Sequence, residues 1–100
     1  MVSIVEERKA CAEAHAVISS LVPSTPCTEA QKEILRAASS IATVAMQPHL
    51  SSQVTLNEMR HDAAMALNVL CGAPLTHTTI ETSKRVVDEW LVRLEEIAEA

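Results

Sequence analysis

One side chain constrains this fold more than any other. Trp90 is the only aromatic residue in a sequence with neither Phe nor Tyr. No other side chain offers comparable apolar area, so a core has to assemble around it. Ile80, Val87, Trp90, Leu91, Leu94 and Ile97 fall at helical spacing and share one face. The other face reads Glu81, Lys84, Arg85, Asp88, Glu89, Arg93 and Glu96. Glu81 with Arg85, and Glu89 with Arg93, are (i, i+4) pairs, which contribute roughly 0.2–0.5 kcal/mol each. Thr78 and Glu81 have capping-box spacing, in which each side chain satisfies a backbone N–H that the helix leaves unpaired. The stretch from Thr78 to Ala100 therefore predicts a long amphipathic final helix.

Three more helices are expected upstream. Ser3 and Glu6 predict a start by the same capping logic, with Ile4, Cys11, Ala14, His15, Ile18 and Leu21 as the apolar stripe. Pro23 ends this helix at Val22, because the residue before proline avoids helical geometry. The second helix has two candidate starts. One is Thr25 as N-cap with Pro26 at the first helical position, and the other is a Thr28–Gln31 capping box. Its stripe is Ala30, Ile34, Ala37, Ala38, Ile41 and Ala45, small residues that permit close helix approach, and it runs to Gln47. A polar connection, Pro48 to Val54 with Leu50 as anchor, follows. The third helix starts at a Thr55–Glu58 capping box with a Val54–Met59 hydrophobic staple. Leu56, Met59, Ala63, Ala66, Leu67 and Leu70 form its stripe. Gly72 is placed as a left-handed C-terminal cap, with Pro74 blocking continuation.

The single Gly and the abundance of Ala, Leu, Glu and Met favour helix, and no alternating strand pattern of useful length occurs. One hundred residues, 48% of them hydrophobic, predict one domain over 1–100 with a core that needs no disulfide or metal. Four amphipathic helices with short connections predict an all-α fold, a compact antiparallel up-down four-helix bundle. A looser orthogonal packing is the alternative, since the longer connections permit it.

The formal net charge of −5 and the near-absence of aromatics argue against direct nucleic-acid binding, which needs excess Lys and Arg and stacking platforms. Glu81, Asp88 and Glu89 also set aside a helix-turn-helix over Leu67 to Leu91, because they would repel phosphate. An acidic chain favours basic partners, including the nucleic-acid-binding surfaces of other proteins. An odd set of three cysteines, and charges from Glu6 onward with no signal-peptide apolar region, predict a reducing, cytoplasmic setting. No apolar run approaches the roughly 20 residues that span a bilayer.

Residues with chemistry to offer are few. Cys11 and His15 stand four apart on one helix face and would supply two zinc ligands, but no second Cys/His pair has matching spacing. A buried thiol beside a partly buried imidazole is the simpler reading. Cys27 falls in the predicted first turn of the second helix, where a thiol pKa is lowered, which makes it the most reactive of the three. No local signature supplies its base. Cys71, at a helix C-terminus, reads as core. Glu58, His61 and Asp62 bring carboxylate beside imidazole without a nucleophile or oxyanion hole, and read as a solvated face. No catalytic residue, cofactor or metal is expected. Glu95, Glu96 and Glu99 crowd the end of the final helix against its dipole. With Asp88 and Glu89 they form the candidate partner-binding surface.

In size and composition the whole chain resembles the small, acidic, motif-free inhibitors that phages encode, anti-CRISPR proteins among them. That resemblance implies a compact helical domain that docks on an effector complex and blocks its basic DNA-binding surface. It rests on no motif and transfers no functional residue. The expected function is thus a non-enzymatic protein-interaction module. A homodimeric structural or adaptor domain, and a metal- or thiol-dependent enzyme using Cys11, His15 or Cys27, are the alternatives.

Overall fold

The computed structural model describes residues 2–46, 54–72 and 74–99. Among them are α1 (Ile4–Ser19), α2 (Glu29–Ala45), α3 (Val54–Gly72) and α4 (His77–Glu99). The expected second-helix end at Gln47, the Leu50 anchor, His49 and the staple contact of the Val54 side chain lie outside the described residues.

Local hydrogen bonds explain where the helices start and stop. Ser3 Oγ accepts the Glu6 N–H at 3.1 Å and caps α1. The helix stops at Ser19, short of the expected Val22. Ser19 Oγ donates to the His15 carbonyl at 2.9 Å and Ser20 Oγ to that of Val17 at 2.7 Å. Hydroxyls competing for the last carbonyls close the helix before Pro23 has to.

At α2 the Thr28 box prevails over Thr25. The Thr28 N–H donates to Gln31 Oε1 at 2.8 Å and the Gln31 N–H to Thr28 Oγ1 at 3.1 Å. Two reciprocal bonds outweigh a favourable proline.

The predicted caps of α3 and α4 need correction. Thr55 lies inside α3 rather than at its N-cap. Gly72 is the last helical residue and does not adopt the left-handed conformation. Pro74, which has no N–H to continue the helix, is enough to end it. The α4 cap falls at Thr76, not Thr78. The Thr79 N–H donates to Thr76 Oγ1 at 3.1 Å, and the Thr76 N–H to Thr79 Oγ1 at 3.0 Å. This hydroxyl pair does the work of a capping box and starts the helix earlier.

Each helix packs on its neighbours in sequence, and α1 closes the ring against α4. Cross-helix contacts give the directions. Lys32 meets Cys71 while Ser39 meets Ala64, so α2 and α3 are antiparallel. Glu7 meets Trp90 while Cys11 meets Val87, so α1 and α4 are antiparallel too. At one end, the Ser24 N–H donates to the Leu75 carbonyl at 3.0 Å and joins the α1–α2 and α3–α4 connections. The molecule measures 39 × 20 × 19 Å. A helix as long as α4 spans about 35 Å, so the helices lie along the long axis. This is the aligned up-down four-helix bundle, not the orthogonal arrangement.

The core holds fully enclosed Trp90 with Ile18, Leu35, Leu67, Val87 and Leu94. The α2 stripe is rotated from the expected one. Leu35, Ala38, Ser39, Ala42 and Ala45 are buried, whereas Ala30 and Ala37 are exposed and Ile34 and Ile41 half-buried. Alanines carry too little area to set a face, and Leu35 sets it instead. In α1, Cys11, Ala14 and Ile18 are buried as expected, while Leu21 lies beyond the helix end and is half-buried.

Candidate functional site

The candidate surface is built on α4. Ile80, Val87, Trp90 and Leu94 turn one side of this helix into the core. That orientation leaves Asp88, Glu89, Glu95, Glu96 and Glu99 exposed on the opposite side. On a helix of about 3.6 residues per turn, Asp88, Glu95 and Glu99 stack along one line, with Glu89 and Glu96 along the next. Exposed Val92 falls between the two lines.

Partial neutralisation comes from pairs other than the expected ones. Arg85 Nη1 reaches Glu89 Oε1 at 3.5 Å and Arg93 Nη1 reaches Glu96 Oε2 at 3.2 Å. These exposed pairs contribute little stability. His15 Nε2 lies 3.3 Å from Asp88 Oδ1 across the α1–α4 seam. Among the described residues, Glu95 and Glu99 have no ion-pair partner within 4 Å.

The thiol and imidazole candidates do not converge. Cys11 is wholly enclosed, its Sγ–H donating to the Val87 carbonyl at 3.7 Å. Burial, reinforced by the charges of Glu7, Glu95 and Asp88, pushes its thiol far above the usual range. His15 turns instead toward Asp88. Among the described residues no three His, Cys, Asp or Glu side chains are grouped to hold a metal.

Cys27 precedes the α2 N-cap and is buried. Its pKa is raised by that burial, with Lys32 opposing, which reverses the expected lowering. The expectation failed because the helix starts after Cys27, at Thr28. Cys71 is half-buried rather than full core, and burial raises its pKa as well. Glu58, His61 and Asp62 are exposed on α3.

Sequence reasoning missed the most unusual group in the molecule. Glu7 and Arg60 are 1% and 3% exposed. Arg60 donates from Nε to Glu7 Oε2 and from Nη2 to Glu7 Oε1, both at 2.7 Å. Trp90 Nε1–H donates to Glu7 Oε2 at 2.9 Å. Arg60 Nη1 also donates to Asn57 Oδ1 at 3.0 Å. Helices α1 and α3 are diagonal in the ring, so this pair crosses the bundle interior and α4 joins it through the indole. A signal was present. Glu7, Cys11, Ala14 and Ile18 share one helical spacing, as do Leu56, Arg60, Ala63 and Leu67, and each row has a charged residue at a core position. The Glu7 carboxylate and the Arg60 guanidinium are paired with each other inside the bundle and closed to solvent, which marks the group as structural.

Among the described residues no helix is long and apolar enough to cross a membrane. The chain matches no family model, no curated protein and no solved structure.

Proposed function

We propose that this chain is a non-enzymatic interaction module, a small acidic inhibitor of the anti-CRISPR kind. In this reading it works in the cytoplasm and docks through α4 on the basic, nucleic-acid-binding surface of a partner complex. One observation carries the reading: Asp88, Glu89, Glu95, Glu96 and Glu99 are all exposed on the side of α4 opposite its buried face. Glu95, Glu96 and Glu99 oppose the helix dipole. Arg or Lys side chains of a partner would relieve that conflict. The enclosure of Cys11, the turn of His15 toward Asp88 and the raised Cys27 thiol favour this reading over thiol or metal catalysis. Of the α2 alanines expected to permit close approach, Ala38 and Ala45 are taken up inside the bundle, while Ala30 and Ala37 are exposed.

The test is the triple replacement of Glu95, Glu96 and Glu99 by Gln. Charge complementarity acts mainly on association, and salt screens it over about 8 Å at physiological strength. Partner capture from the native host, followed by stopped-flow kinetics, should show association slowed about tenfold at low salt. Helical circular dichroism should be unchanged or slightly stronger. A variant that associates at the wild-type rate at low salt removes this surface from consideration.

A further inference from the structure

Two of the free cysteines share one cavity at the end of the bundle where α4 begins. A cavity of about 390 Å³ is lined by Cys27, Cys71, Lys32, Leu70 and Leu75, among others. The thiols point across the α2–α3 seam in opposite senses. Cys27 Sγ–H donates to the Leu70 carbonyl at 3.8 Å, and Cys71 Sγ–H donates to the Lys32 carbonyl at 3.9 Å. Leu70 immediately precedes Cys71, and standard geometry puts a carbonyl oxygen about 3 Å from the next Cα. Cys27 Sγ therefore lies within about 7 Å of the Cys71 Cα, given its 3.8 Å contact. Bridged cysteines have Cα atoms roughly 4.4–6.8 Å apart, so closure needs both side chains to rotate and the Cys27 segment, which lies outside the helices, to shift toward α3. Each thiol is held only by a weak S–H bond. Cys11, enclosed beside Val87, has no place in this cavity.

We propose that Cys27 and Cys71 form a redox-sensitive site that closes to an intramolecular disulfide on exchange with a small-molecule disulfide such as oxidised glutathione. Cys71 is the more open of the two and reacts first. Its thiolate, formed by loss of the thiol proton to solvent, attacks one glutathione sulfur. A Cys71–glutathione bond forms, the glutathione S–S bond breaks, and one glutathione thiolate leaves and takes up a proton. The Cys27 thiolate then attacks Cys71 Sγ. The protein S–S bond forms and the second glutathione leaves as thiol. Two protein thiols are oxidised by two electrons and one disulfide is reduced to two thiols. The positive charges of Lys32 and Arg36 beside Cys71 favour the thiolate, against its burial. The link ties the segment before α2 to the end of α3. It lies toward the opposite end of α4 from Glu95, Glu96 and Glu99, so it is independent of the docking surface.

The test treats the full chain with oxidised glutathione at mildly alkaline pH, quenches with acid and maps the links. A glutamate-specific protease cuts after Glu13 and so separates Cys11 from Cys27. The expected product is a monomer lighter by the mass of two hydrogens, with the Cys27 and Cys71 peptides reducibly joined. Cys11→Ala should cross-link like wild type. Cys27→Ser and Cys71→Ser should each stop at a single glutathione adduct. The oxidised protein should melt at a higher temperature, because the link restricts the unfolded chain. Glutathione retained on wild-type Cys71 at equilibrium, a link to Cys11, chain-to-chain dimers, no reaction, or a melting temperature that fails to rise would each overturn the proposal. The wild-type map is decisive even if a variant folds poorly.

Discussion

The Glu7 carboxylate accepts hydrogen bonds at 2.7, 2.7 and 2.9 Å, from Arg60 twice and from Trp90 once. Desolvating such a pair is costly, and only the bidentate geometry and the indole donor offset it. Removing one charge strands the other in the core. Glu7→Gln or Arg60→Met should therefore lose about 3–5 kcal/mol in denaturant unfolding. Glu7→Met together with Arg60→Met removes both charges and fills similar volume. That double variant should lie within about 1–3 kcal/mol of wild type, the remaining loss being the orphaned Trp90 N–H. Trp90, the only tryptophan, reports unfolding directly by its fluorescence. A double variant that loses the sum of the single losses would show that the two side chains are not coupled.

At the level of the helices, the caps and the glycine distinguish the observed structure from the one the sequence pattern predicts. Thr76→Ala removes the bond that accepts the Thr79 N–H and should lower stability by about 0.5–2 kcal/mol. Thr78→Ala, the predicted cap, should stay within about 0.5 kcal/mol of wild type. Equal losses at both positions would place the helix start elsewhere. Gly72→Ala gives the opposite sign in the two readings. A left-handed cap would be destabilised by a Cβ. Here Gly72 is helical and a Cβ would meet nothing within 4 Å. The substitution should therefore stabilise by about 0.4–1 kcal/mol through the unfolded chain, as read from the thermal midpoint.

For the whole molecule, burial raises the pKa of every cysteine. Cys11 is wholly enclosed and dominates. The folded state holds its proton after the unfolded chain, near the usual value of about 8.5, has released it. The associated stability is complete below that pH and is lost as pH rises above it. Unfolding free energy should fall by up to about 1.4 kcal/mol per pH unit in this range. Cys11→Ala should flatten the slope, and a slope that persists unchanged would assign it to other groups. The helix count, the α4 face around Trp90 and the exposure of the acidic arc were legible in the order of residues alone. Each depends on local spacing and on where large apolar side chains recur. The α2 face, the Cys27–Cys71 neighbourhood and the Glu7–Arg60 pair depend on contacts between helices, whereas the Thr76 cap is a local bond that the spacing pattern misplaced by two residues. The pattern rule sends charged side chains to water, and Glu7 is exempt only because Arg60 and Trp90, far away in sequence, converge on it.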